Sequence, residues 1–292
     1  MAANKPRPEL AGLTVVLPRT PDRAAAMAAE LEARGAAVEL MPLIDFQFPA
    51  DTTDLDRALK SLRAGRFAWV VFTSVTTVRA MVRRCAALGV PASTAVPSGT
   101  FIAAVGAGTR QALEDIGLDV DLMPDRDQSA RGLAESWPHP SVSDPEGGAL
   151  RLLLPQADLA DPALAAALAG LGWEVSPVTA YCIVDYPATG VRFTPAPGDG
   201  QAGDPRLLTP QEFLARTPQG PRAVVLTSPS IARRFLRQCS PLPQGTLLVA
   251  IGDSTAAQMG QLHVPPHAVA EQPTPAGIAQ ALSVAMSTGP TT

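Results

Sequence analysis

The sequence is short of most residues from which functional sites are usually built. Three cysteines, Cys85, Cys182 and Cys239, are spread over 292 residues with no C-x-x-C pair. An odd, scattered set excludes a disulfide framework and gives no zinc pattern, so a reducing cytoplasm is the expected setting. His139, His263 and His267 stand apart from the cysteines, and no metal is expected. Aromatic residues make up 4% of the chain while Ala, Leu, Val and Gly abound, which points to cores of small aliphatic layers. Lys and Arg number 23 against 27 Asp and Glu, a balance that does not suit gripping nucleic acid through general basicity. Long apolar runs are missing too. Leu10–Leu17 runs straight into Pro18 and Arg19, too short for a secretory core. Ala163–Leu171 falls short of the ~18 to 20 residues that span a bilayer. Neither a leader nor a membrane segment is expected. The common catalytic signatures G-x-S-x-G, H-E-x-x-H, the Walker loop and G-x-G-x-x-G opening a helix do not occur.

The chain does contain a repeat. Strand-like runs alternate with amphipathic helical stretches, as in Leu13–Leu17 followed by Pro21–Arg34, the pattern of a parallel sheet covered by helices. Its length gives a prior of about two domains, and 46% hydrophobic content can fill two cores. Four short signatures, each expected to feed a helix, occur twice. The first is Val16-Leu17-Pro18-Arg19 with a helix to Gly35, matched by Leu153-Leu154-Pro155-Gln156 with a helix to Gly172; Pro to Gly is 17 positions in both. The second is Val71-Phe72-Thr73-Ser74 against Leu226-Thr227-Ser228, each leading to an Arg-bearing helix. The third is Gly106 with Thr109 against Gly252 with Ser254 and Thr255, and the fourth is Ser129 with Gly132 against Thr274 with Gly277. Each Ser or Thr of the fourth pair is an expected N-cap.

Calling these signatures A to D, their order is A, B, C, D, A, B, C, D. If the second A closes the first B-C-D set, the opening segment must complete the second set, and one domain becomes discontinuous. The expectation is an α/β chain of two similar doubly wound parallel-sheet domains of flavodoxin-like type, facing each other across a cleft. One domain would take residues 1–43 and 185–292, the other 47–180, with strands at 44–46 and 181–184 crossing between them as a two-stranded hinge. Pro138–Gly148 and Pro187–Pro205 interrupt the repeat and read as surface loops, and the first ten residues and the tail after Ser287 are expected to fray.

In doubly wound folds ligands meet the ends of strands and the starts of helices, where unpaired N–H groups and the helix dipole favour anions. Thr73, Ser74, Gly106, Thr109, Thr227, Ser228, Gly252, Ser254 and Thr255 fall at such points. Ser and Thr also cap helices in proteins that bind nothing. Position therefore suggests a binding edge and leaves the chemistry open. Arg19 could meet a carboxylate or stay solvated on its loop.

These residues resemble the uroporphyrinogen-III synthase family: Val16–Arg19 with the helix to Gly35, Pro42-Leu43-Ile44, Phe72-Thr73-Ser74, Ala104-Val105-Gly106-x-x-Thr109, Ala180-Tyr181, Leu226-Thr227-Ser228-Pro229, Ile251-Gly252-x-x-Thr255, and Pro273-Thr274 with Gly277. The resemblance implies closure of the linear tetrapyrrole hydroxymethylbilane, with inversion of its last ring and loss of water, for porphyrin and heme biosynthesis. It implies a monomeric, cytoplasmic lyase with no cofactor, and leaves open a transient contact with the preceding pathway enzyme. Tyr181 matches the tyrosine thought to help the hydroxyl leave, and the substrate's carboxylates would meet Arg19, Thr73, Ser74, Gly106, Thr109, Thr227, Ser228, Pro229, Gly252, Ser254 and Thr255. Thr76 departs from the family pattern where Asn or Arg is common, as does Gln156 where a basic residue is common. A non-catalytic tetrapyrrole-binding regulator and a bilobal small-molecule binding protein are the alternatives.

Overall fold

Strands and helices alternate along the computed structural model, which describes residues 8–139, 150–193, 207–216 and 220–288. In chain order the elements are β1 (Thr14–Leu17), α1 (Pro21–Ala33), β2 (Ala37–Leu40), β3 (Ile44–Gln47), α2 (Thr53–Arg63), β4 (Trp69–Phe72) and α3 (Val75–Ala87). They continue with β5 (Phe101–Ala104), α4 (Ala107–Glu114), α5 (Ala130–Glu135), β6 (Arg151–Ala157), α6 (Ala163–Gly170) and β7 (Glu174–Asp185). The last are α7 (Pro210–Ala215), β8 (Arg222–Leu226), α8 (Pro229–Gln238), β9 (Thr246–Ala250), α9 (Asp253–Gln261), β10 (Ala268–Val269) and α10 (Pro275–Thr288).

Among the described residues two five-stranded sheets form, ordered β10-β9-β8-β1-β2 and β3-β7-β6-β4-β5. They belong to two units: Met1–Ile44 with Ala196–Thr292, and Asp45–Pro195. The chain therefore passes from the discontinuous unit to the continuous one after Ile44 and returns after Pro195. In the first sheet β1 pairs in parallel with β2 and β8, β8 with β9 and β9 with β10; in the second β4 pairs in parallel with β5 and β6, and β6 with β7. Read from β2, the first sheet follows the flavodoxin-like order in which each unit's first strand sits between its second and third. The second sheet has the same order with β6 in the place of the first strand and β3 added beyond β7. The opening strand β1 thus joins the late strands β8, β9 and β10, while β6 joins the early strands β4 and β5.

Side-chain alternation explains why helices cover both faces. Val15, Leu17, Ala223, Val225, Leu247 and Val249 enter one cluster with α1 and α10 residues, whereas Val16, Val224, Leu226, Leu248 and Ala250 enter another with Phe213, Ile231 and Phe235. Successive residues of a strand point to opposite faces, so continuous apolar runs suit strands buried on both. Gly35 and Gly172, the shared glycines of signature A, end α1 and α6 at φ of +91° and +96°, a left-handed conformation that Gly adopts at no steric cost.

The structure departs from the sequence reading in several places. Pro155 and Gln156 do not lead directly into a helix as Pro18 and Arg19 do; they lie inside β6. β4 pairs with β6 only as far as Leu153, so Pro155, which has no N–H to give, sits beyond the end of that ladder. The core of the continuous unit is not purely small and aliphatic: Trp69, Trp137 and Trp173 pack in one cluster with Leu152, Leu154 and Leu168. Residues 8–10 are held, because Leu10 is buried and Glu9 pairs with Arg34 at 3.0 Å and accepts a bond from Ser283 at 2.6 Å. The two segments expected to cross between the domains are neighbours in the second sheet, β3 at its edge and 181–184 as the end of the 12-residue strand β7. Most of the interruptions at Pro138–Gly148 and Pro187–Pro205 lies outside the described residues.

Candidate functional site

In the continuous unit β4 ends at Phe72 and the chain turns through Thr73 into Ser74, the extended N-cap of α3. The Ser74 hydroxyl accepts the Thr77 N–H at 3.1 Å and lies 3.0 Å from the Thr77 hydroxyl. A cap bond of this kind satisfies one of the free donors at a helix start. The same Ser74 oxygen is 3.4 Å from the hydroxyl of Tyr181, which comes from β7. Residues 107 positions apart in the chain thus meet at one helix start. The Tyr181 ring is walled edge-on by Phe46, at 5.8 Å and 76°, and by Phe193, at 5.9 Å and 67°. Only 6% of Tyr181 is exposed, and a hydrogen bond shielded from solvent counts for more than one in water. Beside it, burial and, to a lesser extent, Asp158 push the Cys182 thiol up, so that it stays protonated.

Gly106 is the N-cap of α4, and the Gln128 side chain accepts the Ala107 N–H at 3.0 Å. Gln128 therefore already occupies one donor at this helix start, and a Cβ on Gly106 would come 3.1 Å from the Gln128 oxygen. Thr109 is buried in the third position of the helix. Thr76, one of the two departures from the family pattern, is buried as well.

The discontinuous unit repeats the arrangement with different fillings. Thr227 leads from β8 to Ser228, the extended N-cap of α8, whose hydroxyl accepts the Ile231 N–H at 3.2 Å and lies 3.0 Å from the Ser230 hydroxyl. Pro229 occupies the first helical position, where its fixed φ suits the helix and its missing N–H leaves one donor fewer for a ligand. Gly252 is the N-cap of α9, Ser254 is exposed, and Thr255 is fully buried with no partner for its hydroxyl among the described residues. A Cβ on Gly252 would find open space, unlike one on Gly106. Arg19 lies half-buried over the first turn of α1, donating from Nη1 to the Arg23 carbonyl at 3.1 Å.

The fourth signature is structural in both copies. Ser129 accepts the Gly132 N–H at 3.1 Å and Thr274 accepts the Gly277 N–H at 3.2 Å. A Cβ on Gly132 would run into the Asp127 carbonyl, and one on Gly277 into the Gln272 carbonyl. Sequence reasoning missed Phe46, Phe193 and Gln128, the groups that surround Tyr181 and cap α4. The aromatic residue in the strand-like run around Phe46 was the one available signal.

A family model described as uroporphyrinogen-III synthase HemD matches residues 25–280. A curated uroporphyrinogen-III synthase from Synechococcus elongatus is 32% identical over 149 residues, so the match spans about half of each protein, 51% of this chain and 52% of the relative. Among solved structures, a mutant uroporphyrinogen III synthase from Thermus thermophilus aligns with a TM-score of 0.56 at 18% identity, covering 94% of this chain and 99% of that one. A uroporphyrinogen-III synthetase from Helicobacter pylori aligns with a TM-score of 0.55 at 17% identity, again over 94% and 99%. At such identities the likeness establishes the two-unit parallel-sheet fold alone. The family model spans most of the chain, and the chain belongs to the uroporphyrinogen-III synthase family.

Proposed function

We propose that the chain is a cyclising hydro-lyase that converts hydroxymethylbilane into uroporphyrinogen III, inverting the last pyrrole ring and losing water. Membership of the family supports this reading, and the observation that carries it is the Tyr181 hydroxyl placed 3.4 Å from Ser74 at the start of α3. In the proposed mechanism Tyr181 donates a hydrogen bond to the hydroxymethyl oxygen as the C–O bond breaks. The pyrrole nitrogen supplies the electron pair, leaving an electrophilic azafulvene. Attack by the substituted carbon of the last ring gives a spirocyclic intermediate, whose fragmentation and reclosure inverts that ring. The proton lost from the ring carbon on final closure balances the one taken up by the departing hydroxyl, so one water leaves. Most of the acceleration then comes from holding the substrate in a reactive bend.

The substrate carries acetate and propionate groups on every ring. Thr73, Ser74, Gly106 and Thr109 in one unit, and Thr227, Ser228, Pro229, Gly252, Ser254 and Thr255 in the other, lie at helix starts suited to carboxylates. Arg19 adds a cation beside α1. Ser254 is exposed and a Cβ on Gly252 would find open space, whereas Thr109 and Thr255 are buried. We place the reaction in a monomer in the cytoplasm, with the substrate passed on in transient contact by the enzyme that makes it. Three free cysteines agree with a reducing compartment. No helix among the described residues is long and apolar enough to cross a membrane.

The test is to supply freshly generated hydroxymethylbilane to the purified protein and separate the oxidised products by isomer. Predominant type III product above the spontaneous type I background is the expected result. Type I alone would remove the synthase reading.

A further inference from the structure

We propose that Asp45 is a positioning residue for Tyr181: its buried carboxylate ties the chain segment 186–193 to β3 and thereby fixes the two phenylalanines that hold the tyrosine ring. This inference rests on the reading of Tyr181 given above. Asp45 is 1% exposed in a strand whose neighbours Phe46 and Phe48 are apolar and buried. Its Oδ1 accepts the Phe46 N–H at 2.9 Å and its Oδ2 accepts the Ala188 N–H at 3.0 Å. Arg192 brings its Nε to 2.9 Å from the same Oδ2, a charge contact without a linear N–H···O bond.

The carboxylate is one of several ties between β3 and that segment. Gln47 accepts the Gly190 N–H at 2.8 Å, and the Phe48 N–H donates to the Val191 carbonyl at 2.9 Å. Those bonds lie near the surface, since Gly190 and Val191 are exposed. The buried Asp45 and the half-buried Arg192 form the deeper tie, and each is the chain neighbour of a ring that walls Tyr181: Phe46 follows Asp45, and Phe193 follows Arg192. Phe193 also packs on Phe46 at 6.5 Å and on Phe48 at 5.1 Å. Edge contacts between rings are soft and leave a ring free to slide or tilt. A buried carboxylate held by backbone donors and a nearby guanidinium has narrow geometry, and it is costly to bury unless the arrangement is kept. The tie therefore sets where Phe46 and Phe193 stand, and through them how the Tyr181 hydroxyl meets Ser74 and the departing oxygen.

The experiment measures type III product formation for Asp45→Asn and Arg192→Gln, alone and combined with Tyr181→Phe, with thermal denaturation to check folding. Asn keeps the shape and one acceptor but removes the charge. Each single variant is expected to lower kcat about ten-fold with KM changed less than about two-fold, because a misplaced reacting group costs turnover more than binding. In the Tyr181→Phe background neither is expected to lower kcat further by more than about two-fold, since the hydroxyl they position is gone. An equal fall in both backgrounds would overturn the proposal, as would wild-type kcat in both folded single variants. If Asp45→Asn does not fold, Arg192→Gln carries the test, its side chain being 21% exposed. Loss of type III product by the parent protein itself, or wild-type turnover by Tyr181→Phe, would instead sink the reading of Tyr181 and this inference with it.

Discussion

The two units share a strand order and a set of helix starts, yet their aromatic residues are unevenly shared. Phe213 and Phe235 are the two aromatics of the discontinuous unit, while the three tryptophans, both tyrosines and the other six of the eight phenylalanines lie between Asp45 and Pro195. The same difference separates Ser74 from Ser228. Both are extended N-caps, but Ser74 also meets a tyrosine hydroxyl, and Ser228 meets the hydroxyl of its own neighbour Ser230. One copy of the signature meets a tyrosine hydroxyl from another strand, and the other meets only what its own turn supplies. Duplication of a fold thus preserves caps, whereas chemistry depends on which distant residue reaches them.

The largest effect that tests this comparison is structural. Gly132→Ala and Gly277→Ala are each expected to cost about 3 kcal/mol of stability, because the added Cβ collides with a backbone carbonyl in both units. Thermal or urea denaturation reads this directly, and wild-type stability with lost activity would move the fourth signature from structure to ligand binding. Next comes Tyr181→Phe, for which turnover is expected to fall about thirty-fold with KM nearly unchanged, the size of a lost hydrogen-bond donor to a leaving group.

The two caps come third. Ser74→Ala and Ser228→Ala are each expected to lose about 1 kcal/mol of stability through the cap bond. Ser74→Ala should lower kcat, while Ser228→Ala should raise KM and leave kcat alone; identical kinetic changes would erase the distinction between the units. The smallest effect concerns the ends of the matching helices α4 and α9. Gly117 closes α4 at φ +80°, donating to the Glu114 carbonyl, and His263 closes α9 at φ +59°, donating to the Gly260 carbonyl. His263→Gly is expected to stabilise the protein by about 0.5–1 kcal/mol, since a side chain is strained in that conformation, and Gly117→Ala to destabilise it by about 1 kcal/mol. Denaturation midpoints for the pair would show whether the histidine is merely tolerated.

Much of the local chemistry was legible in the residues. Apolar runs without alternation marked strands covered on both faces, the glycines of signature A marked helix ends, and Ser74, Ser228, Ser129 and Thr274 cap the helices that follow them. Pro155 misled, because its likeness to Pro18 says nothing about whether a neighbouring strand continues beside it. Gln128 gave no signal at all: a glutamine in a loop becomes a helix cap only when the fold brings it to Ala107.

What the sequence determined alone is whatever depends on neighbours in the chain: caps, turns, helix ends, the period of burial, and the double occurrence of one module. What only the tertiary structure decided is which distant groups share a point in space. That Asp45 meets Ala188 and Arg192, that Phe46 and Phe193 wall Tyr181, and that Tyr181 reaches Ser74 depend on β3, β7 and β4 lying in one sheet. Side chains so far apart in the chain have no local pattern to record their meeting, because it is set by strand order and register rather than by spacing.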